Sequence, residues 1–135
     1  MKIKNKNYST LWVENSKIKI IDQTKLPFKL IIKELKTLDD FCRAITQMEV
    51  RGAPLIGVTA AFGLALALRK DASSKNIDKS INALLETRPT AVNLRWALSY
   101  ILKRIKNKRI QDRAKLSLEL AKKIRQEDII NCFKI

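Results

Sequence analysis

From Pro54 to Leu68 the chain runs fifteen residues without a charged side chain. A stretch that is apolar on every face must be enclosed by other elements. It falls short of the ~20 residues a bilayer span needs, and it sits mid-chain. The expectation is a central buried helix over Leu55–Leu68, with Pro54 in its first turn, where a missing N–H costs nothing. All three glycines of the protein, at 52, 57 and 63, lie in or beside this run. Gly57 and Gly63, with Ala60, Ala61, Ala65 and Ala67, would let neighbouring helices come close, so packing is expected of both glycines. Gly52 follows Arg51 directly and permits a backbone conformation or a close approach denied to other residues.

The flanks must supply the enclosure. Tyr8–Glu14 and Lys17–Asp22 read as strands joined by a tight turn at Asn15-Ser16. In Lys17-Ile18-Lys19-Ile20 polar and apolar residues alternate, as in a strand with one wet face. Phe28–Leu35, after Pro27, reads as a third strand, giving an antiparallel meander. Thr37 is a helix cap with Asp39 and Asp40 in the first turn, followed by a stripe of Leu38, Phe41, Cys42, Ile45 and Met48. A helix over Asn76–Glu86 turns Ile77, Ile81, Leu84 and Leu85 inward. Pro89 pushes Arg88 out of the helical region. Thr90 is the candidate cap of the next helix, Ala91–Lys106. A break at Asn107-Lys108 precedes a last helix, Gln111–Ile130, with Ala114, Leu118, Ala121 and Ile124 inward. The class is α+β: a small β-meander over 1–36, then a bundle of about five helices over 37–131. A length of 135 residues suits one domain.

Net charge is +15, and the excess flanks the apolar centre. Residues 1–36 carry nine Lys/Arg against three Asp/Glu, residues 103–134 eleven against four, and residues 37–102 eight against six. Basic clusters suit nucleic-acid phosphates. They also arise when lysine serves wherever any polar residue would do. Aromatics are few and do not interleave with the basic clusters, so no stacking platform is visible and the second reading is favoured. The two cysteines, Cys42 and Cys132, form no CxxC pair. The basic, polar N-terminus has no apolar run after it, as a secretory signal would. A cytoplasmic location with reduced thiols is expected. Cys42 lies on the apolar stripe and is expected to pack. The chain has no histidine, which excludes Ser-His-Asp and Cys-His catalysis within it and removes the commonest metal ligand.

Two breaks share a design. Arg51-Gly52-Ala53-Pro54 and Thr87-Arg88-Pro89-Thr90 each set an arginine in irregular backbone just before a helix. Helix N-termini present unpaired N–H groups and partial positive charge to anions, and a guanidinium adds a bidentate fork. Two such units meeting in space make a phosphoanion pocket. Taken alone, each arginine is also consistent with a surface residue capping a neighbouring helix.

Arg51-Gly52-Ala53-Pro54 leading into Ile56-Gly57 and Ala60-Ala61-Phe62-Gly63, followed by Thr87-Arg88-Pro89-Thr90-Ala91-Val92-Asn93-Leu94 and Trp96-Ala97, resembles the signature of the methylthioribose-1-phosphate isomerases. Ile18-Lys19-Ile20-Ile21-Asp22-Gln23-Thr24-Lys25-Leu26-Pro27 is similar to the family's opening strands. The resemblance runs from about Thr10 to Asn131. It implies interconversion of methylthioribose 1-phosphate and methylthioribulose 1-phosphate in methionine salvage, without metal or organic cofactor. It implies substrate contacts from Arg51, Gly52, Ala53 and Arg88. The same superfamily holds the regulatory alpha, beta and delta subunits of the eukaryotic translation initiation exchange factor, so a non-catalytic binding or regulatory module, including one for RNA or another polyanion, is the alternative.

The family's catalytic cysteine and aspartate belong to a C-terminal Rossmann-like domain that this sequence does not contain, so no catalytic residue is assigned here. Residues 132–135 depart from the family pattern, which reads as a frameshift or early stop. The expectation is a truncated, inactive isomerase-like protein keeping part of a phosphosugar site, with a separately encoded C-terminal half as one candidate partner. Without that half, the Leu55–Leu68 helix is expected to be incompletely covered and to drive self-association. No membrane partner is expected.

Overall fold

Alternation sets the first layer. In the computed structural model, which describes residues 2–3, 6–7, 11–15, 17–22, 24, 28–50 and 53–133, strands β3 (Leu11–Glu14), β4 (Lys17–Ile21) and β5 (Ile32–Leu35) form an antiparallel sheet in the order β3-β4-β5. A separate two-stranded ribbon, β1 (Lys2–Ile3) with β2 (Lys6–Asn7), precedes it. Asn15 has φ 52° and turns β3 back into β4; asparagine tolerates this left-handed region better than most residues. Pairing Leu11 with Ile20 and Ile18 with Leu35 puts all four on the buried face.

The third strand is shorter than the sequence suggests. β4 ends at Ile21, where Asp22 turns its carboxylate to Thr24 and Lys33. Phe28 and Leu30 then have no strand to pair with, and Phe28 is 93% exposed.

Five helices follow: α1 (Leu38–Thr46), α2 (Ala53–Lys70), α3 (Ser74–Thr87), α4 (Val92–Ile105) and α5 (Ile110–Phe133). α1 starts with a capping box in which Thr37 Oγ1 accepts from Asp40 N–H and Asp40 accepts from Thr37 N–H. Met48 falls off the expected stripe. The helix has ended, Met48 takes φ 60°, and its side chain is exposed. The reversal is held by Glu49 N–H donating to Ala44 O at 2.9 Å.

α2 is the axis of the bundle and packs on α1, α3, α4 and α5. Residues 56–65 are all buried, so the expected lack of cover for this helix is not found. The exposed large apolar side chains lie elsewhere, at Phe28, Leu30, Ile32, Met48, Val92, Trp96 and Ile110. The reason is α5, whose length and position close the face that the sequence left open. Two glycines make the packing tight. A Cβ on Gly63 would stand 3.0 Å from Phe41 Cβ of α1, and one on Gly57 would stand 2.9 Å from the Asn93 backbone oxygen of α4. Cys42 packs against the same core, and burial pushes its thiol up in pKa, as a structural cysteine requires.

α5 turns in the face its apolar residues outline, and two polar residues go in with it. Arg113, Ser117, Leu120, Ala121 and Ile124 are buried, while Ala114 and Leu118 are half-buried. Arg113 is tolerated inside because its guanidinium donates to Lys108 O (3.0 Å), Lys106 O (3.3 Å), Ala72 O (3.0 Å) and Ser74 Oγ (3.2 Å). It ties the end of α4 to the α2–α3 connector, satisfying carbonyls that a helix end leaves open. Among the described residues no helix is long and apolar enough to cross a membrane.

Candidate functional site

The Gly57–Asn93 contact brings two helix starts together. Gly57 lies one turn into α2 and Asn93 is the second residue of α4. The absence of a Cβ at Gly57 lets the α4 backbone lie directly against α2. The two positive dipole ends therefore converge, and neither helix carries an acidic residue in its first turn.

The starts of the helices differ in their caps. Thr37 caps α1 and Ser73 caps α3 through side-chain oxygens. α4 begins at Ala91 (φ −77°, ψ 106°), which offers no side-chain hydrogen bond. The expected cap, Thr90, is displaced by one residue. Ala91 N–H donates to Arg88 O at 3.0 Å, which places Pro89 and Thr90 inside a turn and leaves Ala91 at the cap position. Arg95 holds that turn from the next helical turn, with Nε donating to Pro89 O at 2.9 Å. Among the described residues no side chain caps the first N–H groups of α4.

Arg88 is the C-cap of α3, extended at φ −149° and half-buried, as the following proline dictates. Among the described residues its guanidinium takes part in no hydrogen bond or ion pair. Ala53 is the first residue of α2. Arg51 and Gly52 lie outside the described residues.

A second cluster leads up to Arg51 and had no signal in the sequence. Asp22 and Glu49 are only 1% and 3% exposed. Lys33 Nζ bridges them at 3.0 Å to each. Arg43 adds contacts of 3.2 Å to Asp40 and 3.4 Å to Glu49. Burial alone would raise the Asp22 pKa, but hydrogen bonds from Thr24 and Lys33 outweigh it and hold the carboxyl below the usual range. The Glu49 and Asp22 contacts in turn raise Lys33. An open depression of about 490 Å³ lies over this cluster, lined by Lys33, Glu34, Lys36, Arg43, Gln47 and Glu49. Lys33 and Arg43 are engaged by the buried carboxylates of Asp22 and Glu49. The cluster anchors Glu49, two residues before Arg51. Among the described residues no group of three His, Cys, Asp or Glu is placed to hold a metal.

Known proteins resemble this chain in sequence and in fold. A methylthioribose-1-phosphate isomerase from Methylorubrum populi is 47% identical over 134 residues, covering 98% of this chain and 37% of that protein. One from Escherichia coli is 43% identical, covering the whole of this chain and 37% of its own length. The chain therefore spans a little over a third of these relatives. Among solved structures, the delta subunit of translation initiation factor eIF-2B from A. fulgidus superposes with a TM-score of 0.80 at 33% identity, over 89% of this chain and 37% of that one. The 5-methylthioribose 1-phosphate isomerase from Pyrococcus horikoshii superposes with a TM-score of 0.78, also at 33% identity, over 87% and 36%. Both support the α+β class read from the sequence. With residues 49–135 matching its profile, the chain belongs to the Initiation factor 2 subunit family.

Proposed function

We propose that this chain is the phosphosugar-holding part of a methylthioribose-1-phosphate isomerase, with Arg51, Gly52, Ala53 and Arg88 as substrate contacts. The observation that carries the reading is the start of α4. Among the described residues it has no side-chain cap and no first-turn acid, it follows an arginine with no partner among them, and it lies against the start of α2. A sugar phosphate supplies the oxygens that a capping side chain would otherwise provide. Arg88 adds a bidentate fork, and Arg51 at the other helix start adds a second.

Binding and chemistry separate on this reading. Moving a proton between adjacent sugar carbons requires a positioned acid–base group. In the family this is a cysteine and an aspartate beyond the length matched here. Cys42 does not substitute, because it packs in the core with a raised pKa. The chain alone therefore holds substrate and does not convert it.

Calorimetry with methylthioribose 1-phosphate tests both halves of the proposal. The purified chain should bind saturably, Arg88→Ala should bind at least about tenfold more weakly, and neither should form the ketose. Measurable conversion by the chain alone would sink the inactive reading. Equal binding by Arg88→Ala would sink the site.

The likeness to the eIF-2B delta subunit favours a second reading, a non-catalytic regulatory module on the same scaffold. Saturable binding of the sugar phosphate would decide against it.

A further inference from the structure

The outer face of α4 carries a feature that the sugar-phosphate site does not use. Its inner face is Leu94, Ala97, Leu98, Ile101 and Ile105, all buried. On the outer face Trp96, Tyr100 and Arg104 follow at intervals of four. The Trp96 and Tyr100 rings stack with centroids 5.0 Å apart and planes 26° from parallel. The Arg104 guanidinium lies 3.6 Å from the Tyr100 ring centroid and donates to Tyr100 O at 3.0 Å. Side chains of this kind ordinarily bury their faces. Here the head of the column, Trp96, is 52% exposed. Linear spacing hid this, since aromatics and basic residues that look dispersed along the chain meet on one face at the helical period.

The charge around the column is one-signed. Between Glu86 and Asp112 the chain has seven Lys/Arg and no acid. The neighbouring helices mix their charges: α3 exposes Asp78 and Glu86 among its lysines, and α5 exposes Glu119 and Glu127. A general preference for lysine does not explain a stretch without a single carboxylate. Lys103, Lys106 and Lys108 are exposed, and among the described residues none of them is in an ion pair. The ten residue-to-residue steps from Trp96 to Lys106 extend ~15 Å, enough for a few nucleotides.

We propose that this face binds single-stranded nucleic acid, with one base stacked on Trp96 and the adjoining phosphates on the cations at the end of α4. A stacked aromatic column rigidified by an arginine offers a base a preformed platform at little entropic cost. A duplex, whose bases are already stacked and paired, has nothing to place there. An apolar protein surface would meet only Val92 and Trp96 as apolar residues and would have to neutralise the cations around them.

Fluorescence anisotropy with labelled 15-mers of dT and rU tests the proposal on the intact chain. Saturable binding is expected at ~50 mM salt, and for contacts with about four phosphates log K should fall with log salt at a slope near −3. Trp96→Ala should weaken oligonucleotide binding roughly 5- to 150-fold, while Trp96→Phe keeps most of it. Heparin, which has charge but no base, should bind wild type and Trp96→Ala alike. Circular dichroism checks that the exposed substitution leaves the fold intact. No binding at ~50 mM salt overturns the proposal. So does equal oligonucleotide affinity for wild type and Trp96→Ala. A dimer in sedimentation velocity that Trp96→Ala dissolves, with no oligonucleotide bound, overturns it in favour of an interface between copies of the chain.

Discussion

Ala91→Asp separates a helix start kept open for a ligand from one that merely lacks a cap. Ala91 already has the extended backbone of a cap residue, φ −77° and ψ 106°, and lacks only the side-chain oxygen. An aspartate there satisfies a first-turn N–H and complements the dipole. Exchanging a poor cap for a good one stabilises a helix by ~0.5–2 kcal/mol, which in a domain of this size raises Tm by roughly 3–5 °C per kcal/mol. The same carboxylate would stand where the proposed phosphate binds. Two unit charges about 5 Å apart at an effective dielectric near 20 repel by about 3 kcal/mol, or roughly 100- to 300-fold in affinity. Stability and binding should thus move in opposite directions. Differential scanning calorimetry reads the first, and titration with methylthioribose 1-phosphate reads the second. A variant that melts higher but binds the sugar phosphate as tightly as before refutes the anion site. A variant that melts lower refutes the account of the helix start.

Lys33→Met leaves Asp22 and Glu49 buried without their shared cation. Full burial would cost ~3–5 kcal/mol; because Lys33 is about one-third exposed, about 2–3 kcal/mol is expected from urea unfolding. The same cluster sets a pH dependence. The Asp22 pKa is lowered on folding, so its contribution is complete above the unfolded value near ~3.9 and is lost as pH falls through the folded value; the urea midpoint should drop between pH 6 and pH 3, and less so in Asp22→Asn. Arg113→Leu strands the carbonyls of Ala72, Lys106 and Lys108 and should cost about 2–3 kcal/mol in the same measurement. Gly57→Ala sets a Cβ 2.9 Å from the Asn93 backbone oxygen; overpacking of ~1–3 kcal/mol, offset by ~1 kcal/mol of helix propensity, predicts a loss of about 0–2 kcal/mol and weaker sugar-phosphate binding. A stabilised Gly57→Ala would show that the two helix starts are not in tight contact.

The meander, the order of the helices and the identity of the central helix were legible in the sequence because each rests on local pattern. Strand alternation in Lys17–Ile21, the Thr37 capping box and the uncharged run after Pro54 act over a few residues. The break at Arg88 was legible for the same reason, since Pro89 controls the backbone before it; the one at Arg51-Gly52 lies outside the described residues. Boundaries went astray where a neighbour overrode the pattern. β5 is short because β4 ends. Met48 leaves its stripe because α1 has stopped. Thr90 loses the cap to Ala91 because of the turn closed by Arg88.

What the sequence determined, then, is the set of elements and the chemistry carried at their ends. What only the tertiary structure decided is which ends meet. Nothing in linear spacing shows that Gly57 admits the start of α4, that Lys33 joins Asp22 to Glu49, or that Arg113 is worth burying. Each depends on contacts between residues distant in the chain, whose partners are chosen by packing and by the need to satisfy buried polar groups. The central run is the clearest case. Its composition required an enclosure, but it took the fold to show that α1, α3, α4 and α5 complete it within these residues.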